Sequence, residues 1–189
     1  MVEIILQAAA RVFVKRGYER ATTNRIAEEA GISVGSLYQY FPSKDSIAVE
    51  LLRRYRETLF ALVGKYLEGA TPATVEPRVR AMLAGFLAAE GLNPALHRVL
   101  IERVARTAAR AEVLGFEDAV EGVIGQMIRA GQGEDDRRDP TVSSFVLVRA
   151  LLGVIHAAVV DRPDMDRDAI VDELTRLVMN VVTTATPSR

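Results

Sequence analysis

The sequence contains no cysteine and has two histidines among its 189 residues. A chain without cysteine forms no disulfide and has no thiolate for catalysis or metal binding, which fits a cytoplasmic protein. The two histidines belong to no cluster with zinc-ligand spacing, so we expect no metal site and no cofactor. No secretory signal opens the chain.

An excess of charge of either sign is also missing. The chain carries 24 basic and 25 acidic side chains, for a formal net charge of −1. The first fifty residues hold six basic and six acidic side chains. This balance argues against a general polyanion binder, so nucleic-acid binding by this segment would have to depend on locally placed charges.

One apolar run, residues 142–160, is long enough to be considered as a membrane span. Four polar residues interrupt it: Ser143, Ser144, Arg149 and His156. An arginine near the bilayer midplane costs about 2.5–3.5 kcal/mol on insertion scales. We therefore expect a soluble protein with no membrane partner, in which this helix is buried on nearly all sides.

The period-two alternation of a half-buried strand is absent, and apolar spacing is helical almost everywhere between the seven prolines. The sequence therefore predicts an all-α protein with about nine helices. Caps bound the first four: Gly17 ends the first, Thr22 and Gly31 bound the second, the third runs from Ser33 to Phe41, and the fourth from Ser43 to about Leu67. Five more are predicted at about residues 78–90, 95–107, 109–130, 141–161 and 167–183.

Residues 22–44 have the pattern of two short helices joined by a tight turn. Leu37 and Phe41 are four residues apart, so they share a helix face that can pack on the preceding helix. Gly35, Ser36 and Gln39 then point away from that core. Small residues and tyrosines stand here where a solvated helix would carry Glu and Lys. This composition is typical of a helix that lies against DNA.

The residue types on this face suit the parts of a DNA groove. Gly35 and Ser36 are small enough for close approach of the backbone, and Gln39 can hydrogen-bond a base edge. Tyr38 and Tyr40 can donate to phosphate oxygens and pack on sugar or thymine methyl groups.

Helix starts supply two further candidate anion sites. Lys44 stands in the first turn of the fourth helix, which is the unfavourable end for a cation, and a phosphate bound there would resolve that conflict. Thr22 and Thr23 offer a similar site at the start of the second helix. Val34 lies toward the core, yet at the helix tip it could touch a thymine methyl. The alternative is a surface helix pair with no partner.

The stretch from Ile4 to about Leu52 contains Ala8-Ala9, Phe13, Gly17-Tyr18, Thr22-Thr23, Ile26-Ala27, Ala30-Gly31 and the run Ser36-Leu37-Tyr38-Gln39-Tyr40-Phe41-Pro42-Ser43-Lys44. It strongly resembles the tetracycline-repressor (TetR) family of bacterial transcription regulators. The resemblance implies phosphate contacts from Thr23, Ser36, Tyr38, Tyr40 and Lys44. It implies base contacts from Asn24, Val34, Gly35 and Gln39, and a contact to the DNA backbone from Arg25. Thr22 and Ser33, the two helix caps, complete the candidate DNA-binding set.

The resemblance implies a helix-turn-helix domain over residues 1–45 and an effector-binding and dimerisation domain over residues 46–189. Small residues on the helix at 141–161 let two helices approach closely, and the last helix has an apolar stripe. The predicted subunit interface consists of Ala150, Gly153, Ala157, Leu174, Leu177, Val178 and Val181. A homodimer would place two recognition helices about one turn of DNA apart, as reading a palindrome requires. The alternative is that both helices pack only within the monomer.

The effector pocket is predicted from large apolar residues and from unusual polar residues within apolar segments. The apolar candidates are Tyr66, Met82, Phe86, Phe116 and Met127. The polar candidates are His97, Arg149 and His156, and the alternative for each is a satisfied core or interface group. A mainly apolar pocket predicts a hydrophobic small-molecule effector.

These features predict a ligand-responsive transcription regulator, with repression as the expected output. It would bind a palindromic operator in double-stranded DNA as a homodimer and release it when the effector binds. The sequence has no paired acid–base constellation, so we do not expect an enzyme. Two alternatives stay open: a helical small-molecule carrier and a protein-interaction adaptor, each with an incidental helix-turn-helix.

Overall fold

The computed structural model describes residues 1–71, 73–88, 94–104, 110–133 and 136–182, without the side chains of residues 102–103, 110–114 and 116. Within these ranges the chain forms nine α-helices and no strand, which confirms the predicted all-α fold. The helices are α1 (Val2–Arg16), α2 (Thr23–Ala30), α3 (Val34–Tyr38), α4 (Lys44–Leu67), α5 (Val75–Ala88), α6 (Pro94–Val99), α7 (Arg110–Gly131), α8 (Pro140–Val160) and α9 (Arg167–Val182). A π-helical segment, Leu100–Val104, follows α6 directly.

The chain divides into two compact units. The first comprises Met1–Thr58 and Gly91–Val113, and the second comprises Leu59–Glu90 and Leu114–Arg189. The first unit thus contains α6 and the π-helical segment as well as the helix-turn-helix, and α4 contributes to both units. The boundary after residue 45 divides the chain by function and stays a prediction.

One apolar core holds the helices of the first unit together. Apolar residues recur every three or four positions along α1, so one face of this helix is buried, including Ile5, Val12 and Phe13. The same core takes Ile26 from α2 and Leu37 from α3, each with 0% of its surface exposed. It extends to buried residues of α4, α6 and the π-helical segment.

Local capping fixes where α2 and α3 begin, as the sequence predicts. The Thr22 side chain accepts a hydrogen bond from Arg25 N at 3.3 Å. The Ser33 side chain likewise accepts one from Ser36 N at 3.0 Å. Gly31 ends α2 in the left-handed conformation, with φ 69°, which favours glycine.

The third helix is shorter than predicted. It ends at Tyr38 rather than Phe41, because the chain tightens there and the N–H groups of Tyr40 and Phe41 both donate to the Leu37 carbonyl at 3.0 Å. Phe41 is nevertheless buried, so its predicted place in the core is confirmed. The helix predicted at 95–107 also differs, since its α-helical part ends at Val99 and residues 105–107 lie outside the described ranges.

The second unit has its own core, built from α5, α7, α8, α9 and the end of α4. Its most deeply buried residues include Val79, Leu83, Ile128, Leu147 and Val171, each at most 2% exposed.

One of the described helices, α8, is long and apolar enough to cross a membrane, with a mean hydropathy of 2.0 over a window that is 39% buried. A core helix of a soluble protein meets the same criterion. The expectation that this helix is buried on nearly all sides is wrong for the single chain, since Val142 and Val146 are each 57% exposed and Phe145 is 49% exposed. A helix that is apolar all round has no polar face to show which side meets solvent.

Candidate nucleic-acid interface

The exposed face of α3 consists of a glycine and polar or phenolic side chains. Leu37 anchors the helix in the first-unit core with 0% exposed, while Tyr38 and Tyr40 are 50% and 46% exposed. Gly35 and Gln39 are also exposed. A Cβ added at Gly35 would meet Ser33 Oγ at 3.8 Å, an ordinary contact. The packing of the chain itself therefore does not require glycine at this position.

A hydrogen bond between two hydroxyl groups joins α2 to α3. Thr23 Oγ1 lies 3.0 Å from the Tyr38 hydroxyl oxygen, and either group can donate. The pair holds two hydroxyl protons and uses one of them in this bond. The other proton stays available to donate to an acceptor outside the protein.

The caps Thr22 and Ser33 have internal roles. Thr22 accepts from the backbone of α2, and Ser33 accepts from Ser36 N while its Oγ lies 2.8 Å from Ser36 Oγ. Val34 is partly buried and packs against the first-unit core, which limits the surface it offers to a partner. Asn24, by contrast, is exposed on α2.

Lys44 is held at the start of α4 by Tyr18, which is not among the predicted DNA-binding residues. Its ammonium donates to the Tyr18 carbonyl at 2.9 Å and lies 4.4 Å above the centre of the Tyr18 ring. The Tyr18 hydroxyl donates to the carboxylate of Asp45. Burial and this hydrogen bond raise the pKa of Tyr18 well above its ordinary value, so the hydroxyl keeps its proton. The Gly17-Tyr18 pair of the family motif was the available signal.

Some cations of the first unit are neutralised internally and others are not. Arg11 and Lys15 pair with Glu29 at 2.6 Å and 3.8 Å. Arg25 and Lys44 make no ion pair with the described residues, so both charges remain available. This segment therefore offers an anionic partner a few cations at fixed places and no overall positive charge.

The apolar effector candidates lie in the second unit. Met82 is buried with 7% exposed, and Phe86 and Met127 are partly buried against the second-unit core. Tyr66 is partly buried, with the Lys65 ammonium 5.2 Å from the centre of its ring. The side chain of Phe116 lies outside the described residues.

The polar effector candidates His97 and Arg149 have internal partners that account for them. His97 is a core residue of the first unit, and its Nδ1 lies 2.9 Å from the Tyr55 hydroxyl. Burial raises the pKa of Tyr55 to about 12, so this hydroxyl stays protonated. Arg149 forms ion pairs with Glu117 and, at 3.1 Å, with Glu121. Neither residue needs a ligand to account for its polar side chain.

His156, the remaining polar candidate, is partly buried on α8 in the second unit.

The predicted interface residues divide into core and surface. Leu174 and Val178 are 4% and 5% exposed within the second-unit core of the single chain, and their assignment to a subunit interface stays a prediction. Gly153 is exposed and Leu177 is 39% exposed, while Ala150, Ala157 and Val181 are partly buried.

An apolar groove of about 550 Å³ lies between the end of α8 and α9. It is lined by Val154, Met165, Asp166, Ala169, Ile170, Glu173, Leu174 and Leu177. The exposed apolar residues Val142, Phe145 and Val146 lie further toward the start of α8. We refer to the exposed residues Val142, Phe145, Val146, Gly153, Val154 and Leu177 as the α8–α9 face. Of these six residues, only Gly153 and Leu177 belong to the predicted subunit interface.

Two family models match the chain. One, described as bacterial regulatory proteins of the tetR family, covers residues 5–51, which include the helix-turn-helix. The other, described as tetracyclin repressor-like, C-terminal domain, covers residues 74–180.

A curated relative is the HTH-type transcriptional repressor KstR2 of Mycolicibacterium smegmatis, which is 38% identical over 86 residues, 46% of this chain and 42% of the relative. The chain thus spans less than half the length of that relative. Among solved structures, FadR of Bacillus subtilis in complex with stearoyl-CoA has a TM-score of 0.75 at 17% identity, with 98% of this chain and 100% of FadR covered.

SmeT, the repressor of a multidrug efflux pump of Stenotrophomonas maltophilia, has a TM-score of 0.75 at 20% identity, with 98% of this chain and 92% of SmeT covered. At these identities, the two structures show a shared fold. The C-terminal model alone covers more than half of the chain, and the N-terminal model coincides with the helix-turn-helix. The chain therefore belongs to the TetR family of bacterial transcription regulators.

Proposed function

We propose that this protein is a cytoplasmic, homodimeric transcriptional repressor that binds a palindromic operator and releases it when a hydrophobic small molecule binds. The proposal rests on the exposed face of α3, where glycine and phenolic side chains lie opposite the buried Leu37 that anchors the helix. A recognition helix reads bases in the major groove when its outer side chains are short enough to let the backbone approach.

The first part of the proposal assigns base contacts and phosphate contacts to different residues. Gln39 and Asn24 carry amides that can pair with a base edge, and Gly35 leaves room for the groove floor. The bonded hydroxyls of Thr23 and Tyr38 share one free proton, so we assign both to a single phosphate. These phosphate contacts fix the register of the helix, and the amides supply the sequence preference.

The remaining DNA-binding candidates flank these residues. Ser36 and Tyr40 would contact phosphates beside α3, and Lys44 and Arg25 would supply the cations. Val34 would offer its outer methyl to a base. Thr22 and Ser33 contribute through the backbone N–H groups of the helix starts that they cap, since their hydroxyls have internal partners.

The second step is dimerisation through the α8–α9 face. Exposed apolar side chains cost free energy in water. The exposed apolar residues of this face include Val142, Phe145 and Val146, and also Val154 and Leu177, which are 42% and 39% exposed. Gly153, Ala150 and Ala157 allow close approach of a second helix. A two-fold axis would bring the same face of two protomers together.

The third step is release by an effector. We assign effector binding to Met82, Phe86, Met127 and Tyr66, which are buried or partly buried residues of the second unit and would give an apolar and adjustable lining. FadR and SmeT have been solved in complex with stearoyl-CoA and triclosan, and each ligand has a large apolar part: the acyl chain of stearoyl-CoA and the chlorinated rings of triclosan. Release occurs only if the effector binds better to a state with lower operator affinity.

The first test is sequence-specific DNA binding. Fluorescence anisotropy with a palindromic fragment from the neighbouring promoter should show log affinity falling with log salt at about 0.9 per phosphate neutralised. Gln39→Ala should remove about 1–3 kcal/mol of discrimination at one position in each half-site. Gln7→Ala, at an exposed residue of α1, is the matched control. No preference over random DNA would instead support the carrier or the adaptor.

The second test separates DNA contact from stability at Gly35. Gly35→Ala should stabilise α3 by about 0.5–1 kcal/mol, because alanine is the better helix former and the added Cβ meets no close atom of the chain. The same methyl should weaken operator binding at least tenfold by occupying the space left for the groove. Gly122→Ala is the control, since its added Cβ also has no atom within 4 Å. Unchanged operator affinity of Gly35→Ala would refute close approach at this residue.

The third test concerns the subunit interface. Val146→Glu should convert the dimer to a monomer in sedimentation velocity, since the carboxylate would be buried against the second subunit. Operator affinity should fall with it, because the two half-sites would no longer be bound by one particle. Ile4→Glu, at a residue 48% exposed on α1, should stay dimeric. A dimeric Val146→Glu would place the interface elsewhere.

The fourth test concerns the effector. Long-chain acyl-CoA and triclosan, titrated into the preformed operator complex, should lower its anisotropy as DNA is released. Phe86→Leu should shift the titration midpoint about tenfold, because it removes part of an aromatic lining. Phe60→Leu, at a residue 41% exposed, should leave the midpoint unchanged. If neither compound lowers the anisotropy of the operator complex, the result counts against a hydrophobic effector of this kind.

A further inference from the structure

Two opposite charges stand side by side at the start of α4. Lys44 and Asp45 are its first two residues. An acid in the first turn favours the helix through the dipole, whereas a phosphate bound at the same place would be repelled by it. An ion pair between these neighbours would also neutralise the cation that a phosphate needs. Within the described part of the chain, neither residue takes part in an ion pair.

Tyr18 contacts both charged residues with different atoms. Its hydroxyl donates to the Asp45 carboxylate, and its carbonyl accepts from the Lys44 ammonium at 2.9 Å. Its ring lies 4.4 Å below that ammonium, in the geometry of a cation–π contact. Tyr18 therefore binds the Asp45 carboxylate through its hydroxyl and the Lys44 ammonium through its carbonyl and ring, so the two charged groups do not bind each other.

The tyrosine itself is fixed by the core. Tyr18 is 8% exposed, and its ring centre lies 5.4 Å from that of Phe13, which is fully buried. The carbonyl of Tyr18 occupies one of the three ammonium donors of Lys44, so two donors remain. The ring and carbonyl restrict where the ammonium can lie without removing its charge.

We propose that Tyr18 is a positioning residue for DNA binding, which engages Asp45 so that the charge of Lys44 stays available to a phosphate at the start of α4. The proposal rests on the proposed function, because it assigns the phosphate to an operator. The carboxylate keeps its favourable place in the first turn of the helix, and its hydrogen bond to the neutral Tyr18 hydroxyl takes the place of an ion pair with Lys44.

The decisive variant is Tyr18→Phe, which keeps the ring beneath Lys44 and the contact with Phe13 but removes the hydroxyl. Asp45 is then free to pair with Lys44. Operator affinity should fall by roughly tenfold for all DNA sequences alike, in line with the loss of a hydrogen bond to a charged group. The slope of log affinity against log salt should become shallower by about 0.9 per half-site, the value of one phosphate contact.

Rescue distinguishes this role from a structural one. Adding Asp45→Asn to Tyr18→Phe should restore the wild-type slope, because the asparagine cannot neutralise Lys44. Asp45→Asn alone should leave the slope unchanged, since Tyr18 already separates the two residues. Lys44→Ala should lower the slope by the same amount, with no further loss when Tyr18→Phe is added. Tyr55→Phe, which loses another tyrosyl hydrogen bond of the first unit, is the control and should keep the slope.

Three outcomes would overturn the inference while leaving operator binding intact. One is a wild-type slope in a folded Tyr18→Phe, with folding checked by its thermal transition. Another is a slope that Asp45→Asn does not restore in that variant. The third is a steeper slope in Asp45→Asn alone, which would mean that Asp45 already neutralises Lys44 in the wild-type protein. If Tyr18→Phe does not fold, the slope of Asp45→Asn alone still tests whether Asp45 neutralises Lys44. A wild-type protein without operator preference would refute the proposed function, and the inference with it.

Discussion

The burial of Leu37 is the constraint on which the candidate interface depends. α3 has five residues, far fewer than a helix needs to be stable alone in water, so tertiary packing must fix it. Leu37 is fully buried in the first-unit core, which determines the angle at which every other residue of α3 leaves the helix. Gly35 and Gln39 face outward because Leu37 faces inward. The face that we propose for DNA is thus set by a residue that touches no DNA.

Neutral hydroxyl groups do much of the positioning in a segment whose charges balance. Thr22 and Ser33 define the helix starts, and Thr23 orients the hydroxyl of Tyr38. Tyr18 engages the acid beside Lys44 in the same way. Because hydroxyl groups add no net charge, attraction to DNA would come from a few cations at fixed places. Such a surface would favour the matched operator over DNA in general.

The parts of the fold that depend on local chemistry could be predicted from the sequence. The caps at Thr22 and Ser33 and the left-handed Gly31 each involve residues at most four apart, so the chain signals them directly. The link between Tyr18 and Lys44 spans 26 residues and had no such local sign. Which apolar side of α8 is exposed was also hidden, because Val146 and Leu147 look alike in a sequence and differ only in what packs against them.

Arg149 shows how a charge can be tolerated on the apolar surface of α8. Its guanidinium lies 5.2 Å from the centre of the Phe145 ring and pairs with Glu117 and Glu121 of α7. Burying an arginine between subunits is costly unless it is paired, and here the pairing lies within one protomer. In the proposed dimer, a second copy would therefore have to supply only an apolar surface and no carboxylate. That requirement is met by the same face of an identical chain, which is the condition for a two-fold interface.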